Sequence, residues 1–223
     1  MIDIGNVFLV LILAYLMGSI PFGFFVVKII NGRDVLKIES GRTGGTNAMR
    51  AAGVGAGLIT AGLDVLKGAA TAWVVSWLVP QQPWIQVCAA LLAIVGHNYS
   101  IFLVHRKNNK WALRGGAGGA TALGGAIALW NPIAFIILPA ALLVYLFIGY
   151  ASVTTMSIAF IAMIVFIIRA IMGLSPWIYV IYGALALLVL VWALRPNIKR
   201  LKEGTERVVG LRAKWLKKKV FQE

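Results

Sequence analysis

Long apolar runs alternate along the chain with short polar segments that are rich in glycine and arginine. A helix needs about 20 apolar residues to cross the hydrocarbon core, and the runs here reach that length without the two-residue alternation of barrel strands. The pattern predicts an all-α polytopic membrane protein with about seven transmembrane helices, at residues 6–28, 56–79, 84–104, 117–131, 132–149, 152–172 and 176–194.

The fourth predicted span is the least regular of the seven. It opens on glycines, and only Asn131 and Pro132 separate it from the fifth. A half-helix or a re-entrant segment fits residues 117–131 equally well, which leaves six spans as an alternative. We assign residues 1–200 to a single transmembrane domain, and residues 201–223 to a basic amphipathic tail typical of a helix in the membrane interface.

Composition excludes a soluble fold. Of the 223 residues, 61% are hydrophobic and 13% are charged, whereas soluble domains are about half apolar and a quarter charged. The N-terminal apolar run lacks the basic region and the small-residue cleavage site of a signal peptide, so we expect it to be a retained span.

Basic residues fix the expected orientation. The net charge is +14, and nineteen of the 21 Lys and Arg residues lie in segments that face one side if the N-terminus is outside. Because cytoplasmic loops collect Lys and Arg, this predicts an outside N-terminus and a cytoplasmic C-terminus. The same rule explains the net charge without nucleic acid, for which the chain has no base-reading motif.

Two opposite charges lie inside the second span. Lys67 follows Asp64 by three residues, so both side chains share one helical face. Charges at membrane depth are normally paired or face a cavity. Two interpretations remain open: an internal ion pair that locks neighbouring helices, or a contribution to the field of a nearby polar site.

Five polar segments interrupt the apolar background. The first, residues 18–23, contains Pro21 within the first span, and a packing kink and a functional break explain it equally well. The second, residues 40–50, has closely spaced glycines whose amides can converge on an anion. Residues 96–102, 114–124, and the pair 150–155 with 195–206 complete the set. With the N-terminus outside, the second to fifth segments share the cytoplasmic face, so a helical bundle can join them in one site.

This ordered set resembles the bacterial acyl-phosphate:glycerol-3-phosphate acyltransferases, the PlsY-like family, from Gly18 to about Glu206. The resemblance implies catalytic roles for His97, Ser152 and Asn197. It also implies substrate or phosphate binding by the two glycine-rich segments, at Ser40, Gly41, Thr46, Asn47, Arg50, Gly115, Gly116, Gly118 and Thr121.

The chain departs from the family pattern at four positions. Ala117 stands where the second glycine segment carries Lys, and Leu194 stands where the C-terminal motif carries His. Arg42 replaces an Asn, and Ser100 replaces a Pro. Our hypothesis is that arginines supply the missing positive charge: Arg42 or Arg114 in place of the Lys, with Arg195 holding the glycerol phosphate.

The resemblance implies an acyl transfer from acyl phosphate to the sn-1 hydroxyl of glycerol 3-phosphate, giving lysophosphatidic acid for phospholipid synthesis. We expect a monomer in the bacterial cytoplasmic membrane, in contact with membrane lipids and without cofactor, metal or nucleic acid. Two other functions remain open: a divergent paralogue that binds phosphorylated lipid precursors, and a small-solute transporter.

Overall fold

The computed structural model describes residues 4–107 and 109–220. The helices in this part of the chain are α1 (Ile4–Ser19), α2 (Phe22–Asn31), α3 (Gly45–Leu78), α4 (Pro83–Asn98), α5 (Gly119–Leu129), α6 (Ala134–Leu143), α7 (Ala151–Ile171), α8 (Ile178–Ala193), α9 (Arg195–Lys202) and α10 (Gly210–Val220). Short 3-10 turns occupy Val35–Lys37 and Asn131–Ile133, and a π-helical turn over Val144–Ile148 extends α6. Strands β1 (Ser100–Lys107) and β2 (Lys110–Arg114) form an antiparallel hairpin.

The helical membrane architecture predicted from hydropathy is confirmed. Four segments of the described chain are long and apolar enough to cross a bilayer: Gly5–Asn31, Gly45–Leu78, Asn131–Ile148 and Ala151–Ile171. Helices α8 and α9, bent by 67°, form a fifth candidate. Helices α4 and α5 are apolar but have only 16 and 11 residues. At 1.5 Å per residue, α5 covers about half of a 30 Å hydrocarbon core.

The prediction of a helix over residues 84–104 was wrong at its C-terminal end. Helix α4 ends at Asn98, and the chain continues as β1. The run Ile101-Phe-Leu-Val104 has the hydropathy of a span, but β-branched and aromatic residues also suit a strand. Periodicity alone does not separate the two for a short apolar run.

Glycine lets the central helices approach at backbone distance. A Cβ on Gly68 of α3 would overlap the carbonyl oxygen of Thr121 in α5, and one on Gly124 of α5 would overlap that of Val65. Small residues of this kind are what membrane helices use to pack closely. The largest apolar core surrounds this contact and includes Ile94, Phe166 and Tyr182.

Two helices break at positions that matter for the site. The first span divides between Ser19 and Phe22, where Pro21 precedes α2. Helix α3 begins eleven residues before the predicted start of its span and is kinked at Ala52 and Gly53, where Gly53 has a φ of 90°. Thr46, Asn47 and Arg50 therefore lie on a short helical segment before the kink.

Candidate active site

A buried array of three ionisable side chains links α3 to α4. The Lys67 Nζ lies 3.0 Å from Asp64 Oδ1, and the same oxygen lies 3.5 Å from Nδ1 of His97. Asp64, Lys67 and His97 are each at most 4% exposed. Burying charge is costly unless it is paired, so the carboxylate, with a cation on one side and an imidazole on the other, organises this part of the bundle.

The break in the first span provides a further partner for this array. The Lys67 Nζ donates a hydrogen bond to the carbonyl oxygen of Ile20, at 2.7 Å. The hydroxyl of Ser100 donates to the neighbouring carbonyl of Ser19. Proline interrupts a helix and frees carbonyl groups upstream. The polar segment around Pro21 is therefore more than a packing kink, because its carbonyls bind a buried cation and the start of β1.

The second glycine segment lies directly against His97. The Gly116 amide donates to the His97 carbonyl at 2.8 Å, and a Cβ on Gly116 would overlap Nε2 of the imidazole. The Thr43 amide donates to the Gly115 carbonyl at 3.3 Å, which joins the first glycine segment to the second. Three segments that are distant in sequence thus meet around one imidazole ring.

Asn47 organises the first glycine segment from inside. Its Nδ2 contacts three backbone carbonyls, those of Val35, Ile38 and Arg42, at 2.9–3.0 Å. The side chain is 3% exposed, so the bonds of its nitrogen hold the loop before α3 in shape.

The other predicted site residues of the first glycine segment, residues 40–50, are more exposed to solvent. Ser40 is exposed, while Gly41, Thr46 and Arg50 are partly buried. Gly41 has a φ of 63°, which turns the chain just before Arg42. The guanidinium of Arg50 lies within electrostatic range of Glu39 and Arg207.

Arg42 reaches from this segment to the end of α8. Its Nη2 donates to the Ala193 carbonyl at 2.6 Å, and its charge acts on His97 and Glu206. Burial, reinforced by the positive charge of Arg200, lowers the pKa of the Arg42 guanidinium from its ordinary value. That value is so high that the group stays protonated. Arg42 is therefore a partly buried fixed cation within electrostatic range of the imidazole.

The C-terminal motif approaches the same region through Asn197. Its Nδ2 donates to Glu206 Oε1 at 3.0 Å, and Glu206 is 9% exposed. Leu194 is buried at the joint between α8 and α9. Arg195 instead is exposed and stacks on the Trp192 ring, with its guanidinium carbon 3.2 Å from the ring centroid. The hypothesis that Arg195 holds substrate therefore gains no support from its position.

The remaining expected residues lie on α5 and the turn before it, at the end of β2 and on the first turn of α7. Gly118 caps this helix with a φ of 88° and without a side-chain hydrogen bond. The hydroxyls of Thr121 and Ser152 are buried and have no hydrogen-bond partner among the described residues. Arg114 ends β2 directly opposite Ser100 and is partly buried. Ala117, in the turn between Arg114 and Gly118, is also partly buried.

Sequence reasoning left three residues of this neighbourhood out of the site. Asp64 and Lys67 were interpreted either as an internal ion pair or as a contribution to the field of a nearby polar site, although an ionisable residue at membrane depth is by itself a reason to suspect a functional site. Asn98, next to His97, gave no signal in the sequence. It is 5% exposed and neither amide atom of its side chain has a partner among the described residues.

Comparison with known proteins gives one consistent family. The family model described as "Glycerol-3-phosphate acyltransferase" matches residues 8–204. A glycerol-3-phosphate acyltransferase of Thermus thermophilus is 39% identical over 203 residues, which are 91% of this chain and 95% of the relative. Glycerol-3-phosphate acyltransferase 2 of Moorella thermoacetica is 36% identical over 212 residues, covering 92% of this chain and 98% of the relative.

Two crystal structures share the fold. Both are of PlsY (YgiH), described as an integral membrane glycerol 3-phosphate acyltransferase, one in the glycerol 3-phosphate form and one in the lysophosphatidic acid form. Each superposes with a TM-score of 0.78 at 28% identity. The first match covers 92% of this chain and 96% of that chain, and the second covers 94% and 98%.

Proposed function

The chain belongs to the glycerol-3-phosphate acyltransferase family, and we propose that it transfers an acyl chain from acyl phosphate to the sn-1 hydroxyl of glycerol 3-phosphate. The product is lysophosphatidic acid, the start of phospholipid synthesis. The family match over residues 8–204 supports the acyltransferase activity. Acyl phosphate as the donor is what the resemblance to the acyl-phosphate-dependent family implies, and the groups suited to phosphate in this site support it.

One observation carries the mechanism: an oriented imidazole lies against a glycine loop beside fixed positive charge. Asp64 faces Nδ1 of His97 at 3.5 Å, and Gly116 lies at Nε2. A carboxylate at one ring nitrogen keeps the proton there and leaves the other nitrogen free to accept one. Arg42 and the α5 N-terminus supply positive potential for phosphate oxygens next to that nitrogen.

The transfer then needs one bond made and one broken. The sn-1 hydroxyl oxygen attacks the acyl carbonyl carbon, and the bond from that carbon to the phosphate oxygen breaks. The phosphate leaves with the electron pair, while His97 accepts the hydroxyl proton and passes it to the phosphate. Because phosphate is already a good leaving group, most of the rate comes from positioning and from electrostatic stabilisation.

Ser152, Asn197 and the first glycine segment complete the proposed site. The buried Ser152 hydroxyl is free to donate to a substrate oxygen, and the bond from Asn197 to Glu206 fixes that amide beside Arg42. Arg42 takes the role of the cation that is absent at Ala117. The electrostatic effect of Arg42 on His97 favours it over Arg114 and Arg195 for this role.

We further propose a bacterial cytoplasmic membrane protein that acts as a monomer, with an outside N-terminus and seven membrane-embedded helical segments. Two of these segments, α4 and α5, are shorter than a full span. Residues 1–200 form the acyltransferase domain and residues 201–223 the basic tail. The distribution of Lys and Arg supports this orientation.

The test is purified full-length chain in nanodiscs with glycerol 3-phosphate and three acyl donors offered separately: acyl phosphate, acyl-CoA and acyl carrier protein thioester. We expect lysophosphatidic acid and stoichiometric inorganic phosphate from acyl phosphate alone. Product from a thioester alone would overturn the proposed donor. Binding of glycerol 3-phosphate without product from any donor would instead favour a non-catalytic paralogue, and solute flux without product would favour a transporter.

A further inference from the structure

The side chain of Asn98 is a buried amide without a partner. It is 5% exposed, and neither Oδ1 nor Nδ2 makes a hydrogen bond within residues 4–107 and 109–220. Buried polar groups are nearly always hydrogen-bonded, because leaving one unpaired forfeits its hydration without return. Asn98 is the last residue of α4. A leucine of similar shape at this position would keep the packing and would avoid the cost of a buried polar group without a hydrogen bond.

The Asn98 side chain is directed at the start of α5. A Cβ on Gly118 would lie 2.7 Å from Asn98 Oδ1, and one on Gly115 would lie 2.6 Å from the Asn98 backbone oxygen. Gly118 is the N-cap of an 11-residue helix, and no side chain caps that helix. The first amides of a helix have no intrahelical partner and attract anions, so the unpaired amide lies beside an uncapped helix end.

The positive charge near this pair of features comes from Arg42, because Asp64 and Lys67 beside His97 offset each other. His97 immediately precedes Asn98, and Arg42 acts electrostatically on His97. Thr121, on the first turn of α5, adds a second buried side chain whose oxygen lacks a partner among the described residues. Several unsatisfied donors around one helix N-terminus suit a phosphate group, which offers acceptors to all of them.

We propose that Asn98 is a substrate-binding residue: with Oδ1 facing Gly118, its Nδ2 donates a hydrogen bond to a substrate phosphate beside the N-terminus of α5. This role of Asn98 rests on the proposed acyltransferase function. It adds to that function a phosphate contact from a residue outside the two glycine segments. Both substrates of that reaction carry phosphate, so the shared ligand chemistry is a phosphate monoester or an acyl phosphate.

The experiment compares Asn98→Leu and Asn98→Asp with the unmodified chain, all at full length in nanodiscs. Asn98→Leu removes the donor and keeps the shape, so we expect a melting temperature at or above that of the unmodified chain. We expect the KM of one phosphate substrate to rise about 10-fold or more, the usual effect of losing a hydrogen bond to a charged group. Asn98→Asp places negative charge beside the phosphate and should raise the same KM further.

Thr71→Val is the matched control. Thr71 is 1% exposed on α3, and its hydroxyl is satisfied by the Gly68 carbonyl at 2.8 Å. This variant also removes a buried polar group, and we expect its KM values to stay within about twofold of the unmodified chain.

Separate titrations of glycerol 3-phosphate and acyl phosphate identify which phosphate Asn98 binds, from the KM that rises more. Unchanged KM values for both substrates in Asn98→Leu and Asn98→Asp would overturn the proposal. A lower melting temperature with unchanged KM would also overturn it, because that pattern belongs to a packing residue. Absence of any turnover in the unmodified chain would count against the proposed function, and phosphate binding followed by phosphorus NMR would still test Asn98.

Discussion

Arg42 shows at the scale of one residue how a half-buried charge can be held in place. Its Nη2 bond to the Ala193 carbonyl fixes one edge of the guanidinium, while arginine has five N–H donors in all. Glu206 lies within electrostatic range and offsets part of the repulsion from Arg200. The bond to Ala193 thus fixes the guanidinium at the end of α8, within electrostatic range of His97.

We expect Arg42→Ala to lower kcat/KM by about 100- to 1000-fold, the usual cost of removing one group that stabilises a developing charge. Arg42→Lys should give a kcat/KM between those of Arg42→Ala and the unmodified chain, because lysine keeps the charge and loses the planar guanidinium. Steady-state kinetics with acyl phosphate and glycerol 3-phosphate measure both variants.

Arg106→Ala is the control for Arg42, since Arg106 is an exposed arginine on β1. It should leave kcat/KM within about twofold of the unmodified chain, as substitutions away from special features usually do. Equal activity of Arg42→Ala and Arg106→Ala would show that Arg42 is not the cation of the site.

At the scale of an element, the turn between β2 and α5 brings the backbone against the His97 imidazole. Gly115 and Gly116 are buried, and Gly116 both donates to the His97 carbonyl and leaves room for Nε2. Any side chain at residue 116 would displace either the imidazole ring of His97 or the backbone of the turn. The position of His97 and that of the α5 N-terminus are therefore set by the same contact.

Gly116→Ala should lower kcat by about 100-fold, because displacement of a reacting group by about 1 Å has that effect. The matched control is Gly62→Ala on α3, where an added Cβ meets nothing within 4 Å. Gly62→Ala should keep full activity and raise the melting temperature, since alanine is the better helix former. Full activity of Gly116→Ala would disprove the contact between the turn and the imidazole.

For the whole molecule, the proposed site depends on one face of the bundle being cytoplasmic. The Glu39–Arg207 ion pair, at 2.8 Å, joins the residue just before the second polar segment to the C-terminal tail. The tail also meets the turn before α7, where the Val209 amide donates to the Gly149 carbonyl at 2.8 Å. The segments that bear the site are thus on the same side as the tail.

Cysteine labelling tests this orientation. With Cys88, the single native cysteine, changed to alanine, Gln81→Cys should react with an impermeant maleimide on intact spheroplasts. Lys202→Cys should react only after the membrane is opened, because the positive-inside bias puts the tail in the cytoplasm. Both positions are exposed, so the opposite labelling pattern would reverse the proposed topology.

The sequence by itself determined that this protein lies in a membrane, and it named much of the proposed active site. Apolar runs of about 20 residues require a bilayer, and the ordered polar segments were enough to indicate the acyltransferase family. Chain order and span count allowed His97, Gly115 and Gly116 to meet on one face, and the structure brings them into contact.

Only the tertiary structure decided which polar groups are partnered. Hydropathy gave no reason to end α4 at Asn98 or to begin β1, since the short apolar run after it suits either element. The same limit hid the bond from Lys67 to Ile20 and the unpaired amide of Asn98. Burial and hydrogen bonding depend on residues far apart in the chain, and their contacts exist only once the helices have packed.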